Sequence, residues 1–321
     1  MRRLLPVALA AALGCAFVQV EAQAQTGGLA AANSALQAGE ADHALSLLSN
    51  ANDAEAHNLR CRVYFTLEQF DQAVSECEQS VQLNGQDSTN HMWLARALGE
   101  KAGKASFVSA YGLAKRSRAE FEQAVQLNPR NAEALADLGE FYSSAPGVVG
   151  GGASKAQGVA AQLDKVDPAR AHELRARIAE GNKDYGTAER EFRAAIQASA
   201  HPAFQWMTLG SYFRRRQQGD AMEQAIQHGC ALAQKDRTSA VALYNGATVL
   251  IRANRNTDLA AKLLDAYLGG SLKTEEAPAF VVHVARARVA LSLGDKETAK
   301  REQDAALTLA STFKPARDLK F

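Results

Sequence analysis

Proline is scarce in this chain, with 7 among 321 residues, and tryptophan scarcer still at 2. Few prolines leave long stretches free to run as helix, since an interior proline removes a hydrogen bond and clashes with the preceding turn. An excess of one charge is also missing. Lys and Arg total 36 against 35 Asp and Glu, a formal net charge of +1. That excludes a dedicated nucleic-acid binder built on many phosphate contacts. After the first residues, no segment reaches the roughly 20 apolar residues of a membrane span. Enzyme signatures are absent as well: there is no His-Glu-x-x-His, no Gly-x-Ser-x-Gly and no Gly-x-Gly-x-x-Gly opening a helix. Acidic residues fall instead in helical patterns such as "EFEQ", "AEREF" and "KETAKREQD". No catalytic residue and no cofactor is therefore assigned. Metal is not assigned either, because the cysteines include no Cys-x-x-Cys pair.

What the chain does have begins with its leader. "MRRLLPVALAAALGCAFVQVEAQAQ" places two arginines before an apolar run that ends in small residues at Ala22 and Ala24. This is the layout of a secretory signal peptide over 1–24, cleaved after Ala24, and it predicts a periplasmic or secreted protein. Lipid attachment at Cys15, after Leu13 and Gly14, is the alternative. Export would leave Cys61, Cys77 and Cys230 in a compartment where disulfides persist. Alanine is spread throughout and favours helix, since it loses no side-chain rotamer entropy there.

The clearest internal unit is the 34-residue segment "AEAHNLRCRVYFTLEQFDQAVSECEQSVQLNGQD". Leu59, Cys61 and Tyr64 share one side of a first helix, and Phe70, Ala73, Cys77 and Ser80 one face of a second. A short connection near Glu68 and Gln69 lets the two fold back as an antiparallel pair. Partial copies recur along the chain. They include "AAANSALQAGEADHALSLLSN", "HMWLARALGE" with "AKRSRAEFEQAVQLNPRN", and "NAEALADLGEFY" with "SKAQGVAAQLDKVDPAR". "DYGTAEREFRAAIQA", "FQWMTLGSYF" and "AFVVHVARARVALSLGDKETAKREQDAALTLA" continue the series.

This recurrence resembles the tetratricopeptide repeat (TPR) family, whose units alternate large and small residues at fixed places in a helix pair. The resemblance implies an all-α fold, a right-handed superhelical solenoid of seven or eight antiparallel helix pairs. Its units are a short one at 25–53, repeats over 54–218 and degenerate repeats over 219–312, with a tail at 313–321. Two middle repeats carry enlarged turns near 100–113 and 146–152. Arg60 departs from the pattern, since it stands where the family keeps leucine. In the family register His57, His91, His172 and His283 take equivalent places and are expected to pack, not to ligate metal. Cys61 and Cys77 occupy facing places in one unit, as a disulfide or as two buried thiols. Cys230 is expected to be a small core residue.

The resemblance also implies a concave surface, lined mainly by the first helix of each pair, that holds a protein or peptide. Its recognition places fall on Asn58 and Arg62, Trp93 and Arg96, Glu140 and Arg177, and Met207, Arg214 and Arg215. The recurring arginines suggest a basic groove for an acidic or carboxylate-ended segment, unless they serve only to solvate helices. The Lys and Asn pair of the family's chaperone-binding clamp is not reproduced. The leading expectation is a non-catalytic exported scaffold. The alternatives are an assembly adaptor docking through the repeats after Gly219, and an enzyme or small-ligand pocket formed where the two inserts cover the array. The glycine-rich "SSAPGVVGGGASKAQ" lacks the strand and the Gly-Lys-Ser order of a nucleotide loop, and reads as an enlarged turn.

Overall fold

The computed structural model describes residues 27–321; the expected leader over 1–24, with Cys15, lies outside the described residues. All regular structure among them is helical, in eight antiparallel pairs. The first is α1 (27–38) with α2 (Ala41–Leu47), then α3 (Ala54–Thr66) with α4 (Phe70–Leu83), and α5 (Ser88–Lys104) with α6 (Phe107–Leu127). Next come α7 (Ala132–Ser144) with α8 (Ala153–Leu163), α9 (Pro168–Gly181) with α10 (Tyr185–Ala198), and α11 (Ala203–Arg215) with α12 (Gly219–Ala233). The last two are α13 (Val241–Ala253) with α14 (Thr257–Gly269) and α15 (Ala279–Ser292) with α16 (Lys296–Leu309), followed by the short α17 (Lys314–Arg317). No described helix is long and apolar enough to cross a membrane.

Each pair is built by the same local rules. In α10, Ala188, Phe192 and Ala195 are buried three or four residues apart, so one stripe faces the partner helix. The Asp184 side chain accepts from the Thr187 amide at 3.1 Å and caps the start. In five of the pairs, one residue between the two helices takes positive φ to reverse the chain. Gly39 and Gly294 do so without a side chain, and Glu68, Lys183 and Gln217 do so with one. Arg60 has an architectural reason for its departure. Its guanidinium donates to the carbonyls of Leu48 and Ala51 at 2.9 and 2.7 Å and to Glu76, tying the first pair to the second.

The four equivalent histidines form a repeated lock. His57, His172 and His283 each meet a glutamate 19 residues later, Glu76, Glu191 and Glu302, at 2.7 Å. His91 meets Glu120 at 2.5 Å, and the separation there is 29. The ten extra residues are the insertion in that unit. It is not the enlarged turn expected at 100–113: α5 and α6 lengthen to 17 and 21 residues and are joined at 105–106. "KAGKASFVSAYG" contains no proline and is rich in helix formers, so continuing both helices satisfies its backbone. The extended tip projects outward, leaving Phe107 89% exposed.

The glycine-rich segment is a turn between α7 and α8, with one 3-10 turn at Gly147–Val149. Gly150 takes positive φ, and a side chain on Gly151 would overlap the Ala145 carbonyl. Its polar groups are oriented against a phosphate. The Gly151 and Gly152 amides donate to the carbonyls of Pro146 and Tyr142, while Lys155 is bound to the Gly150 carbonyl at 3.0 Å. A phosphate cradle needs those amides and that cation free.

The array returns to its own start. One buried cluster joins Leu36, Leu48, Leu59 and Leu67 of the first two pairs to Phe280, Val284 and Phe313 at the other end. Phe280 and Phe313 meet edge to face at 4.8 Å. Polar ties cross the same seam: the Ser311 amide donates to Asp42 at 2.8 Å, and Gln69 donates to Thr312 at 2.9 Å. The tail from 313 begins with a buried phenylalanine and a helical turn. The apolar side of the last repeats is covered by the first pairs, which leaves the repeats after Gly219 no open apolar end for an adaptor to dock through.

Candidate functional site

Closure of the array leaves an open central cavity of about 1200 Å³ on its concave side. Its walls come from α3, α5 and α7 and from the connection between α14 and α15. That connection, residues 270–278, is longer than the other loops between pairs and lies across the concave side. It closes the wall that the inserts were expected to form. A second cavity of about 680 Å³ adjoins the first and shares Arg96, Asp137, Glu140 and Glu276 with it. Its floor is α9, through Arg170, Glu173 and Arg177, with Phe204 and Gln205 of α11 beside it.

The groove residues expected from the repeat register separate into three groups. Arg62, Trp93, Arg96, Glu140 and Arg177 do line the cavities. Asn58 is buried and donates to Asn90 at 3.0 Å, a link between neighbouring units. Met207 is buried among Gly229 and Gly246 in the core. At the end of α11, Arg215 makes a two-pronged contact with Glu180 at 2.7 and 2.8 Å. Arg214 sits beside it in the last turn of that helix. Phe204 and Gln205 of α11 line the second cavity instead, although the family register of "FQWMTLGSYF" had placed Met207, Arg214 and Arg215 inward.

The expectation of a basic groove is corrected by the pairings. Arg62 meets Glu275 at 2.5 Å, and Glu275 also accepts from Gln37 at 3.1 Å. Arg96 meets Asp137 at 2.6 Å and Glu133 at 3.2 Å, while Arg177 lies 3.6 Å from Glu140. The two inner arginines also flank Trp93, with guanidinium carbons 5.5 and 4.6 Å from its ring centre. Their charge is already answered within the chain. Glu275 could not have been assigned to Arg62 from the sequence, since 213 residues separate them.

The carboxylates of this surface are the perturbed groups. Burial raises Asp137 against the pull of Arg96, and burial with Glu133 nearby raises Glu276. Glu173 is pushed up to about 7, chiefly by burial, although Arg177 and Arg170 pull the other way. Because the folded state prefers its protonated form, Glu173 lowers stability as pH rises from its ordinary range through 7. Glu173→Gln should therefore stabilise the protein by roughly 2–3 kcal/mol at pH 8 and much less at pH 5. Urea unfolding of both proteins at the two pH values measures this, and equal gains at both would refute the burial account.

Cys61 and Cys77 form a disulfide between α3 and α4, with Cα atoms 5.2 Å apart. Cys230 is a buried free thiol that burial pushes up to about 11, far from the range of a reactive cysteine. No cluster of three or more His, Cys, Asp or Glu is placed to hold a metal ion among the described residues.

Fold and site together define a helix-pair repeat array with an open concave cleft of mixed polar and apolar lining. No protein-family profile matches the sequence, and no curated protein does. Among solved structures, the chain is similar to a thermophilic TPR protein of Thermus thermophilus, with 20% identity and a TM-score of 0.45 over 55% of this chain and 91% of that one. It is also similar to a tetratricopeptide repeat protein from Parabacteroides merdae, with 12% identity and a TM-score of 0.43 over 92% and 100% of the two chains. PilF of Pseudomonas aeruginosa matches at 13% identity and a TM-score of 0.38, over 83% and 95%.

Proposed function

We propose that this chain is an exported, non-catalytic TPR scaffold that holds a segment of another polypeptide within its concave surface. The observation that carries this is the pair of adjoining cavities, about 1200 and 680 Å³, walled by the first helices of successive pairs. Together they exceed the roughly 300–1000 Å³ of a small-molecule site. Their walls alternate apolar surface, such as Phe65, Phe141 and Val281, with paired charges, as an extended chain with mixed side chains requires. The Cys61–Cys77 bond supports an oxidising compartment, in line with the leader. The paired arginines argue against an acidic segment as the partner.

A photo-reactive phenylalanine analogue at Ser144, exposed and on the cavity wall, tests this in the producing cell. The control position is Leu83, exposed on α4. Irradiation should cross-link a polypeptide from position 144 and not from 83. Cross-links from 83 alone would move the binding surface to the outside and reject this reading.

A further inference from the structure

The smaller cavity carries a charge and hydrogen-bonding pattern that its own residues leave incomplete. Each arginine on its wall has an acidic partner of its own: Arg96 has Asp137, Arg170 has Asp167 at 3.1 Å, and Arg177 has Glu140. Glu173 and Glu276 remain, and neither has an ion-pair partner among the described residues. The Gln205 amide and the Glu173 carboxyl lie against each other, yet one buried acceptor atom on each stays unpartnered, Oε1 of Glu173 and Oε1 of Gln205. Gln205 is only 9% exposed. Buried acceptors of this kind are uncommon in folded proteins because each forfeits its hydration without compensation.

Both defects ask for the same chemical group. The orphan oxygens call for a donor, and a cation beside them would offset the burial that disfavours the charged form of both glutamates. A neutral amide would answer only the first. A guanidinium or an ammonium answers both, with several N–H donors on one cation. Phe204 on the same wall is 40% exposed and offers an apolar surface to the methylene stem of a long basic side chain. We infer that Glu173, Gln205 and Glu276 form a subsite for the cationic head of an arginine or lysine side chain on the bound polypeptide. This rests on the scaffold reading and specifies its partner.

The same cation could arrive on a free amine, so the test separates the two sources. Fluorescein-labelled nonapeptides of Gly, Ala and Ser with a central Arg, Lys, Leu or Glu are titrated into the full chain by anisotropy. Arginine amide and spermidine serve as unlabelled competitors. The Arg and Lys peptides should bind at least tenfold more tightly than the Leu and Glu peptides. Glu173→Gln, which keeps the shape and removes the charge, should erase that preference, and Gln205→Met should weaken it. Arg215→Ala, outside the cavity, should leave it unchanged.

Equal binding of all four peptides, untouched by Glu173→Gln, would overturn the cation subsite while leaving the scaffold reading intact. If arginine amide or spermidine binds as tightly as the Arg peptide, the subsite stands and the polypeptide reading fails. Tighter binding of the Glu peptide, or no binding of any probe at millimolar concentration, overturns the subsite, and cross-linking from position 144 then decides the scaffold reading independently.

Discussion

Phe280→Ala is expected to cost about 3–5 kcal/mol and to open the ring of helix pairs. Phe280 is 1% exposed and sits in the seam where the last repeats pack on the first. Its loss removes the edge-to-face contact with Phe313 and leaves a cavity in the buried cluster that joins the two ends, one that helix backbones cannot refill. Stability in stacked repeats is nearly a sum of unit and neighbour terms, so damage at the seam need not unfold the middle of the array. The segment 270–278 leads directly into α15, and freeing that helix would draw Glu275 away from Arg62. Two measurements check this: chemical unfolding, and the radius of gyration by small-angle scattering under native conditions. A destabilised variant with an unchanged radius would show that the other seam contacts hold the ends together.

Reducing the Cys61–Cys77 bond should lower stability by about 3 kcal/mol, the value for closing a loop of this length in the unfolded chain. Both residues are completely buried between α3 and α4. The two thiols still fill the same space after reduction, so the comparison isolates the cross-link from core packing. Urea midpoints with and without a reductant that reaches the buried bond, followed by thiol counting, give the difference. Coincident midpoints with the bond shown to be broken would mean that α3 and α4 are already held close in the unfolded chain.

The helix pairs were legible in the residues because their causes are local. Ala188, Phe192 and Ala195 recur at helical spacing, and caps such as Asp184 and Asp295 mark the starts. The His–Glu locks left a signal that could have been found. Three identical 19-residue separations, and one longer by the inserted ten, register the repeats more sharply than the apolar pattern does. Cys61 and Cys77 stood at facing places for the same reason, one helix pair being a short-range structure. The insertion at 100–113 was misjudged because a break in a repeat register does not distinguish a loop from two lengthened helices.

The concave surface was harder. Arg62 and Arg96 were recognisable as inward-facing, but their chemistry depends on Glu275 and Asp137. Asp137 lies in the next helix pair, whereas Glu275 lies near the opposite end of the chain. Gln205 was passed over because the family register of α11 pointed to Met207, Arg214 and Arg215, and only the burial of its unpartnered oxygen singles it out.

The sequence by itself determined that this chain folds as paired helices, about where each pair lies, and which cysteines face each other, because residues a few turns apart settle those matters. Only the tertiary structure decided that the first and last pairs meet around an open cleft in which Glu173 and Glu276 have no ion-pair partner among the described residues. Small rotations between successive pairs add up over the whole array, and no local spacing records their sum. That sum brings Glu275 to Arg62 and turns an apparently basic groove into one whose own arginines are already paired.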